Sequence, residues 1–143
     1  MTTKVTRKLF VMTFLLVFCL PALSSPDRET KDRPKLLVVW TSGEREVALK
    51  VVFMYSAYAN QNRWWHKVRL LVWGPSAKLL TEDQELQDYV QKMMAAGVEV
   101  IACERSANSY RVSEKLKEMG IPVINVEKRF TTMLKSDWKT LTF

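Results

Sequence analysis

The stretch VEVIACERSANSY, residues 98–110, is the part of the sequence that decides the fold. Its first half, VEVIAC (98–103), is a short run of strand-forming residues that stops at a cysteine. Small polar residues follow at once, and the apolar spacing beyond them predicts a helix over 106–119 that ends at Gly120. A strand joined directly to a helix is the unit from which parallel sheets are built.

Strands and helices alternate along the rest of the chain. Four more runs predict strands, namely KLLVVW (35–40), KVRLLVW (67–73), PVINV (122–126) and WKTLTF (138–143). Helices are predicted from Glu46 to about Asn60 and from a capping box at Thr81–Gln84 to Gly97, and a short turn or helix is predicted over 128–135. The predicted fold is therefore α/β, a parallel sheet of about five strands with helices on both faces.

Several large apolar residues recur at helical spacing or in pairs. In the first predicted helix they stand at steps of three and four and predict one apolar face: Val47, Val51, Met54, Tyr55 and Tyr58. Together with Trp64, Trp65, Met93 and Met94, the tyrosines of this helix are interpreted as packing or subunit contacts rather than as a cofactor site. An exposed Trp64–Trp65 pair would suit an interface.

The first residues have the pattern of an export signal. Basic residues precede the apolar run Leu9–Leu23, and Ala22-Leu23-Ser24 supplies the small residues that signal peptidase requires. We expect cleavage after Ser24, a periplasmic or secreted protein and no stable membrane anchor. A retained anchor is the alternative, although the run is shorter than the roughly 20 apolar residues of a span. Lipidation at Cys19 is a further alternative, disfavoured by the bulky residues before it.

Composition fits one exported domain. A chain of 143 residues with 48% apolar residues can bury a core. We expect 1–24 to be the signal peptide, SPDRETKDRP (25–34) a flexible N-terminal segment, and 35–143 the domain. Loss of the three basic residues of the signal lowers the formal net charge from +7 to +4. The remaining basic residues are scattered and lack aromatic neighbours, so we expect no nucleic-acid partner.

Three small polar turns should meet at one edge of the sheet. TSG (41–43), GPS (74–76) and CERS (103–106) each follow a predicted strand, and ligands of open parallel sheets bind beyond the carboxyl ends of the strands. The predicted ligand-binding residues are Thr41, Ser42, Gly43, Gly74, Pro75, Ser76, Ser106 and Asn108. GPSAK lacks the spacing of a nucleotide phosphate loop, so its simpler role is a tight turn.

Cys103 is the candidate reactive residue. Signal cleavage would remove Cys19 and leave Cys103 as the single thiol, which excludes an internal disulfide. At the end of a strand and the start of a helix, backbone N–H groups and the helix dipole would favour a thiolate, to which Arg105 would add and which Glu104 would oppose. The alternative is a buried, inert cysteine at the end of an apolar strand.

The sequence indicates no cofactor and no metal. His66 is the single histidine and should lie at the amino end of its strand, away from Cys103. One histidine and one cysteine so far apart make no zinc ligand set, so catalytic use of His66 is not expected.

Four segments of this sequence together resemble the DsrE/DsrF-like proteins: VVWTSGEREVALKVVFMY, LLVWGPSAKLLTEDQELQDYVQKMMAAGVEVIACERSANSY, VSEKLKEMGIPV and LKSDWKTLTF. The resemblance covers nearly all of 35–143 and implies a flavodoxin-like parallel sheet in homo- or hetero-oligomers, often trimers or hexamers. It also implies that Cys103 accepts and passes on sulfane sulfur as a persulfide, with a sulfur donor or acceptor protein as partner. Many relatives read C-x-x-C-A here, and Ser106 in place of the second cysteine excludes a dithiol mechanism.

Two hypotheses follow. The first is an exported single-cysteine persulfide carrier that uses Cys103, closer to a carrier or binding protein than to a turnover enzyme. The second is a non-catalytic oligomeric module that binds a small ligand at the same strand edge, with Cys103 as a structural residue.

Overall fold

The computed structural model describes residues 33–143. The predicted signal peptide at 1–24 and residues 25–32 of the predicted flexible segment lie outside the described residues. Within 33–143, no helix has both the length and the apolar character needed to cross a membrane.

Five parallel strands form one sheet in the order β4-β3-β2-β1-β5, which confirms the predicted α/β fold. The strands are β1 (Lys35–Trp40), β2 (Val68–Val72), β3 (Glu99–Cys103), β4 (Val123–Ile124) and β5 (Trp138–Thr142). The helices are α1 (Arg45–Val47), which continues through a π-helical segment (Ala48–Phe53) into α2 (Met54–Gln61), and then α3 (Pro75–Glu82), α4 (Gln84–Ala95), α5 (Glu104–Ser109), α6 (Ser113–Glu118) and α7 (Glu127–Leu134).

The two faces of the sheet are covered unequally. On the first face, Leu36, Val38 and Trp40 of β1 are fully buried in a large core that includes residues of every helical segment from α1 to α6. On the second face, Leu37 and Val39 belong to a smaller cluster that includes side chains of α7 alone among the helices. The connections from β1 to β4 all step in one direction across the sheet, and right-handed crossovers then put their helices on one face. The connection from β4 returns to β5 beside β1, so α7 lies on the other face.

The first helix turns a different side to the core than its apolar spacing predicted. The residues that are buried against the sheet are Ala48, Val52, Phe53, Ser56 and Ala59. Of the predicted apolar face, Val47 and Tyr55 pack partly against the core, whereas Val51, Met54 and Tyr58 are 38%, 46% and 55% exposed. Because this helix is apolar nearly all round, spacing alone could not identify its buried side, and the π-helical segment also alters the periodicity.

Two of the helix predictions were wrong in their extent. Thr81 lies inside α3, which begins directly after β2 because Gly74 adopts a φ of 73° and Pro75 occupies the first helical position. The next helix is capped by Asp83, whose carboxylate accepts a hydrogen bond from the Leu86 N–H at 3.1 Å. The single helix predicted over 106–119 is two helices, α5 and α6, separated by a turn in which Arg111 has a φ of 59°.

Candidate functional site

Cys103 is the last residue of β3, and its side chain belongs to the second face of the sheet. It is 1% exposed and packs in an apolar cluster. The buried members of that cluster are Leu37, Val39, Leu71, Cys103, Val126 and Met133. The alternation of side chains along β3 places Glu99, Ile101 and Cys103 on this face, since Val100 and Ala102 belong to the core of the first face.

The α7 region covers this part of the second face. Phe130 of α7 packs edge-to-face on Trp73, with ring centroids 5.2 Å apart, and both rings border the cluster that holds Cys103. The sequence alone predicts no role at the site for Trp73 or Phe130. Phe130 and Met133 are three positions apart, a helical spacing that was available as a signal for a buried face.

The charged neighbours of Cys103 in sequence point away from the cluster. Glu104 is exposed, and the Arg105 side chain is 84% exposed. Arg105 instead pairs with Glu127 at 3.1 Å, which links α5 to the first turn of α7. The surroundings of the thiol are therefore apolar, and the predicted influence of Arg105 or Glu104 on the sulfur has no support in the contacts of these side chains.

The predicted ligand-binding residues do meet at the carboxyl edge of the sheet, where hydrogen bonds join their loops. The buried Ser76 hydroxyl donates to the carbonyl oxygen of Trp40 at 2.6 Å and accepts from the Trp73 N–H at 3.0 Å. The Ser106 hydroxyl accepts from the Gly74 N–H at 2.9 Å. These bonds connect the turns that follow β1, β2 and β3.

At the other side of this edge, Phe143, the residue after β5, is hydrogen-bonded to the turn after β1. The Phe143 carbonyl oxygen accepts hydrogen bonds from the Thr41 N–H and hydroxyl, both at 2.7 Å, and from the Ser42 N–H at 3.2 Å. The Ser42 hydroxyl accepts from the Glu44 N–H. The polar groups of Thr41 and Ser42 thus bond to the chain itself.

Gly43, Pro75 and Asn108 are the exposed members of the predicted set. Gly43 lies so close to Pro75 that a Cβ on the glycine would be 3.3 Å from the proline Cβ. The Asn108 side-chain oxygen accepts from the Ser113 hydroxyl at 2.6 Å, which helps to join α5 to α6. The three turns meet at this edge, and the hydrogen bonds of their polar groups hold the loops together.

The amino ends of the strands carry a charged cluster on the second face. Glu99 lies between Lys67 and Arg69, with shortest N···O distances of 2.5 Å to each, and the Arg69 guanidinium lies 4.6 Å from the Trp138 ring centroid. Partial burial raises the pKa of the Glu99 carboxyl, but the hydrogen bonds and charges of Lys67 and Arg69 outweigh it and lower this pKa below its usual range.

His66 and the tryptophans lie at the amino edge. His66 is exposed, and its backbone N–H donates to the Pro34 carbonyl. Trp64 is 54% exposed, whereas Trp65 packs partly against the main core. Over residues 33–143, no group of three or more histidine, cysteine or acidic side chains is placed to hold a metal ion.

Comparison with known proteins gives a family. The model of the DsrE/DsrF-like family matches residues 35–143, which is every strand and helix of the domain. The chain belongs to the DsrE/DsrF-like family. A solved structure of a conserved protein of unknown function from Bacteroides thetaiotaomicron is similar at 25% identity, with a TM-score of 0.74 over 77% of this chain and 95% of that one. No curated protein matches the chain significantly.

The match confirms the predicted family. One position of this chain differs from the pattern that the resemblance implied for many relatives. At the position where the resemblance implied a second cysteine in many DsrE/DsrF-like relatives, Ser106 is 8% exposed and its hydroxyl fixes the turn at Gly74. This family member therefore uses that position for a loop contact.

Proposed function

We propose that this protein is a non-catalytic, oligomeric binding module of the DsrE/DsrF-like family, in which Cys103 is a packing residue. The observation that carries the proposal is the 1% exposure of Cys103 inside an apolar cluster. A thiol that relays sulfur must meet the sulfur atom of its donor, and buried cysteines without charged neighbours act as small apolar side chains.

The first helix supports the oligomeric part of the proposal. Val51, Met54 and Tyr58 form an exposed apolar stripe at helical spacing, and Trp64 nearby packs on Tyr55 with ring centroids 6.3 Å apart. Exposed aromatic and methionine side chains are enriched in subunit interfaces. A trimer or hexamer of this chain would cover the stripe.

Light scattering coupled to size-exclusion chromatography tests the assembly. We expect a mass of three or six chains, which Tyr58→Glu lowers, because a carboxylate would be buried in the interface. Lys115→Glu on α6 adds the same group at an exposed position and should leave the mass unchanged. A wild-type protein that stays monomeric at every concentration would contradict the oligomer.

A second candidate function is the single-cysteine persulfide carrier, favoured by family membership and by the place of Cys103 at the end of a central strand. In that step the Cys103 thiolate attacks the outer sulfur of a donor persulfide. The donor S–S bond breaks, the donor leaves as a thiolate, and Cys103 becomes Cys–S–SH. This chemistry requires α7 to move away, and it requires a donor or acceptor protein.

Intact-mass measurement separates the two functions. After incubation with a small persulfide donor, the binding module should gain no sulfur at Cys103 while native, and it should gain one when denatured. Peptide mapping distinguishes Cys103 from Cys19. A native protein that gains one sulfur atom, with none in Cys103→Ala, would establish the carrier instead.

Export remains part of the proposal. The basic start, the apolar run and Ala22-Leu23-Ser24 support a periplasmic or secreted protein. N-terminal sequencing of protein recovered outside the cytoplasm should begin at Ser25, and an N-terminus at Met1 in a membrane fraction would contradict cleavage.

A further inference from the structure

A groove at the amino edge of the sheet, opposite to the edge of Cys103, has the size of a small-molecule site. It lies between the last turns of α2 and α4 and has a volume of about 600 Å³. Small-molecule sites in proteins span roughly 300–1,000 Å³. Its accessible apolar surface comes from Ala57, Ala96 and the Tyr89 ring, whereas Met93 and Val98 also line it but are each only 3% exposed.

Hydrogen bonds hold the two sides of the groove together. The Asn60 side-chain nitrogen donates to the Ala96 carbonyl at 2.8 Å and so links the end of α2 to the end of α4. The Val98 N–H donates to the Met93 carbonyl at 3.0 Å, which fixes the turn from α4 into β3. The groove is therefore formed before any ligand arrives.

Two cations line the groove without acidic partners. Arg63 and Lys92 are both lining residues, no carboxylate lines the groove, and in the described part of the chain neither side chain has an ion-pair partner. The cations of the charged cluster on the second face, Lys67 and Arg69, are by contrast both paired with Glu99.

The backbone of Arg63 is fixed in an uncommon conformation. Its φ is 52°, in the left-handed region, and its N–H donates to the Asn60 carbonyl at 3.1 Å. Its own carbonyl accepts from the Arg33 guanidinium. Non-glycine residues in this region are uncommon, and they are found at turns whose surroundings enforce them. The arginine thus belongs to a defined turn at the groove.

We propose that this groove binds a small amphipathic organic anion. The carboxylate, phosphate or sulfonate group would pair with Arg63 and Lys92, and the apolar body would pack on Ala57, Ala96 and the Tyr89 ring. The inference extends the proposed binding module by naming a ligand class. Failure of this inference can be distinguished from failure of the proposed function. The proposed function is tested on the Cys103 thiol and the oligomer mass, whereas the groove is tested by ligand binding.

Titration of the full protein with naphthalene-2-carboxylate, followed by calorimetry and amide NMR shifts, tests the proposal. We expect saturable binding with shifts at Ala57, Met93 and Val98. The neutral isostere 2-naphthalenemethanol should bind about tenfold more weakly or worse, because hydrogen bonds to charged groups contribute more than one decade in affinity.

Three variants locate the site. Lys92→Gln and Arg63→Asn should each weaken carboxylate binding about tenfold, asparagine being tolerated at a positive φ. Ala57→Leu keeps both charges and should abolish binding by filling the groove. Lys115→Gln, exposed on α6, is the matched control and should bind as the wild type does. Cations near helix C-termini also stabilise the helix by interacting with its dipole, so loss of one can lower stability. Thermal unfolding of each variant therefore distinguishes lost binding from lost folding.

No saturable binding, equal affinity for the neutral isostere, or unchanged affinity in folded Lys92→Gln and Arg63→Asn would each overturn the proposal.

Discussion

Replacement of Cys103 by serine should destabilise the protein, although the change is nearly isosteric. The thiol is 1% exposed among apolar side chains, so a serine hydroxyl would be buried there with no partner from that cluster. An unpaired buried hydroxyl costs about 1–3 kcal/mol in protein mutational data. We therefore expect Cys103→Ser to lower the free energy of unfolding by about 2 kcal/mol and the Tm by roughly 8 °C in a domain of this size.

The Cys103→Ala variant distinguishes the stability cost of a buried hydroxyl from the cost of lost side-chain volume. It removes one buried atom of about the size of a methylene group and should cost about 1 kcal/mol, less than the serine variant. Urea unfolding followed by circular dichroism measures both variants, and Ser109→Ala at the exposed end of α5 should stay within about 0.5 kcal/mol of the wild type. A serine variant as stable as the wild type, or more stable than the alanine variant, would refute the apolar environment of the thiol.

Substitutions at three further positions test the fold. Glu99→Gln should lower stability at neutral pH and reduce its acid dependence. Because the pKa of Glu99 is lower in the folded than in the unfolded protein, its carboxylate contributes stability above the usual pKa of about 4.3, and this stability is lost as the pH falls through the lower folded value. Urea midpoints that fall equally with pH in both proteins would exclude this contribution of Glu99. Gly74→Ala should cost about 1–3 kcal/mol, because a φ of 73° is strained for alanine, and an unchanged Tm would contradict the turn geometry. Asp83→Ala removes the cap of α4 and should cost about 1 kcal/mol, whereas Asp83→Asn, which keeps the capping oxygen, should cost less in the same assay.

The first strand could be predicted closely because it is buried on both faces. In β1, Leu36 to Trp40 are all buried, so the strand reads as a continuous apolar run, and its predicted bounds of 35–40 are the observed ones. β4 has only two residues, so its predicted span of 122–126 was too long. The strand edge at Thr41, Gly74 and Ser106 followed from parallel topology alone.

The environment of Cys103 could not be predicted, because it depends on the return crossover. α7 follows the shortest strand and covers the second face from a distant part of the chain, so no local pattern near Cys103 indicates Phe130 or Met133 as neighbours. The chemistry of the edge was ambiguous for another reason. Hydroxyl groups after strands, such as those of Ser76 and Ser106, can bind a ligand or close a turn, and the sequence pattern is the same for both uses.

The buried side of the first helix could not be predicted from the sequence either. Val51, Met54 and Tyr58 have the spacing of a core-facing stripe, and Val52, Phe53 and Ala59 occupy the core instead. Both sides are apolar, so amphipathicity carries no information about orientation. The side that the sheet leaves uncovered is the one that the proposed oligomer would bury.

The rate at which a bulky maleimide labels Cys103 tests the central claim most directly. Native protein and guanidinium-denatured protein are labelled side by side, and peptide mapping reads Cys103 apart from Cys19. A packing cysteine predicts labelling of the denatured protein and almost none of the native protein over the same time. Labelling of native Cys103 as fast as that of the denatured chain would contradict a buried thiol and restore the persulfide carrier as the leading function.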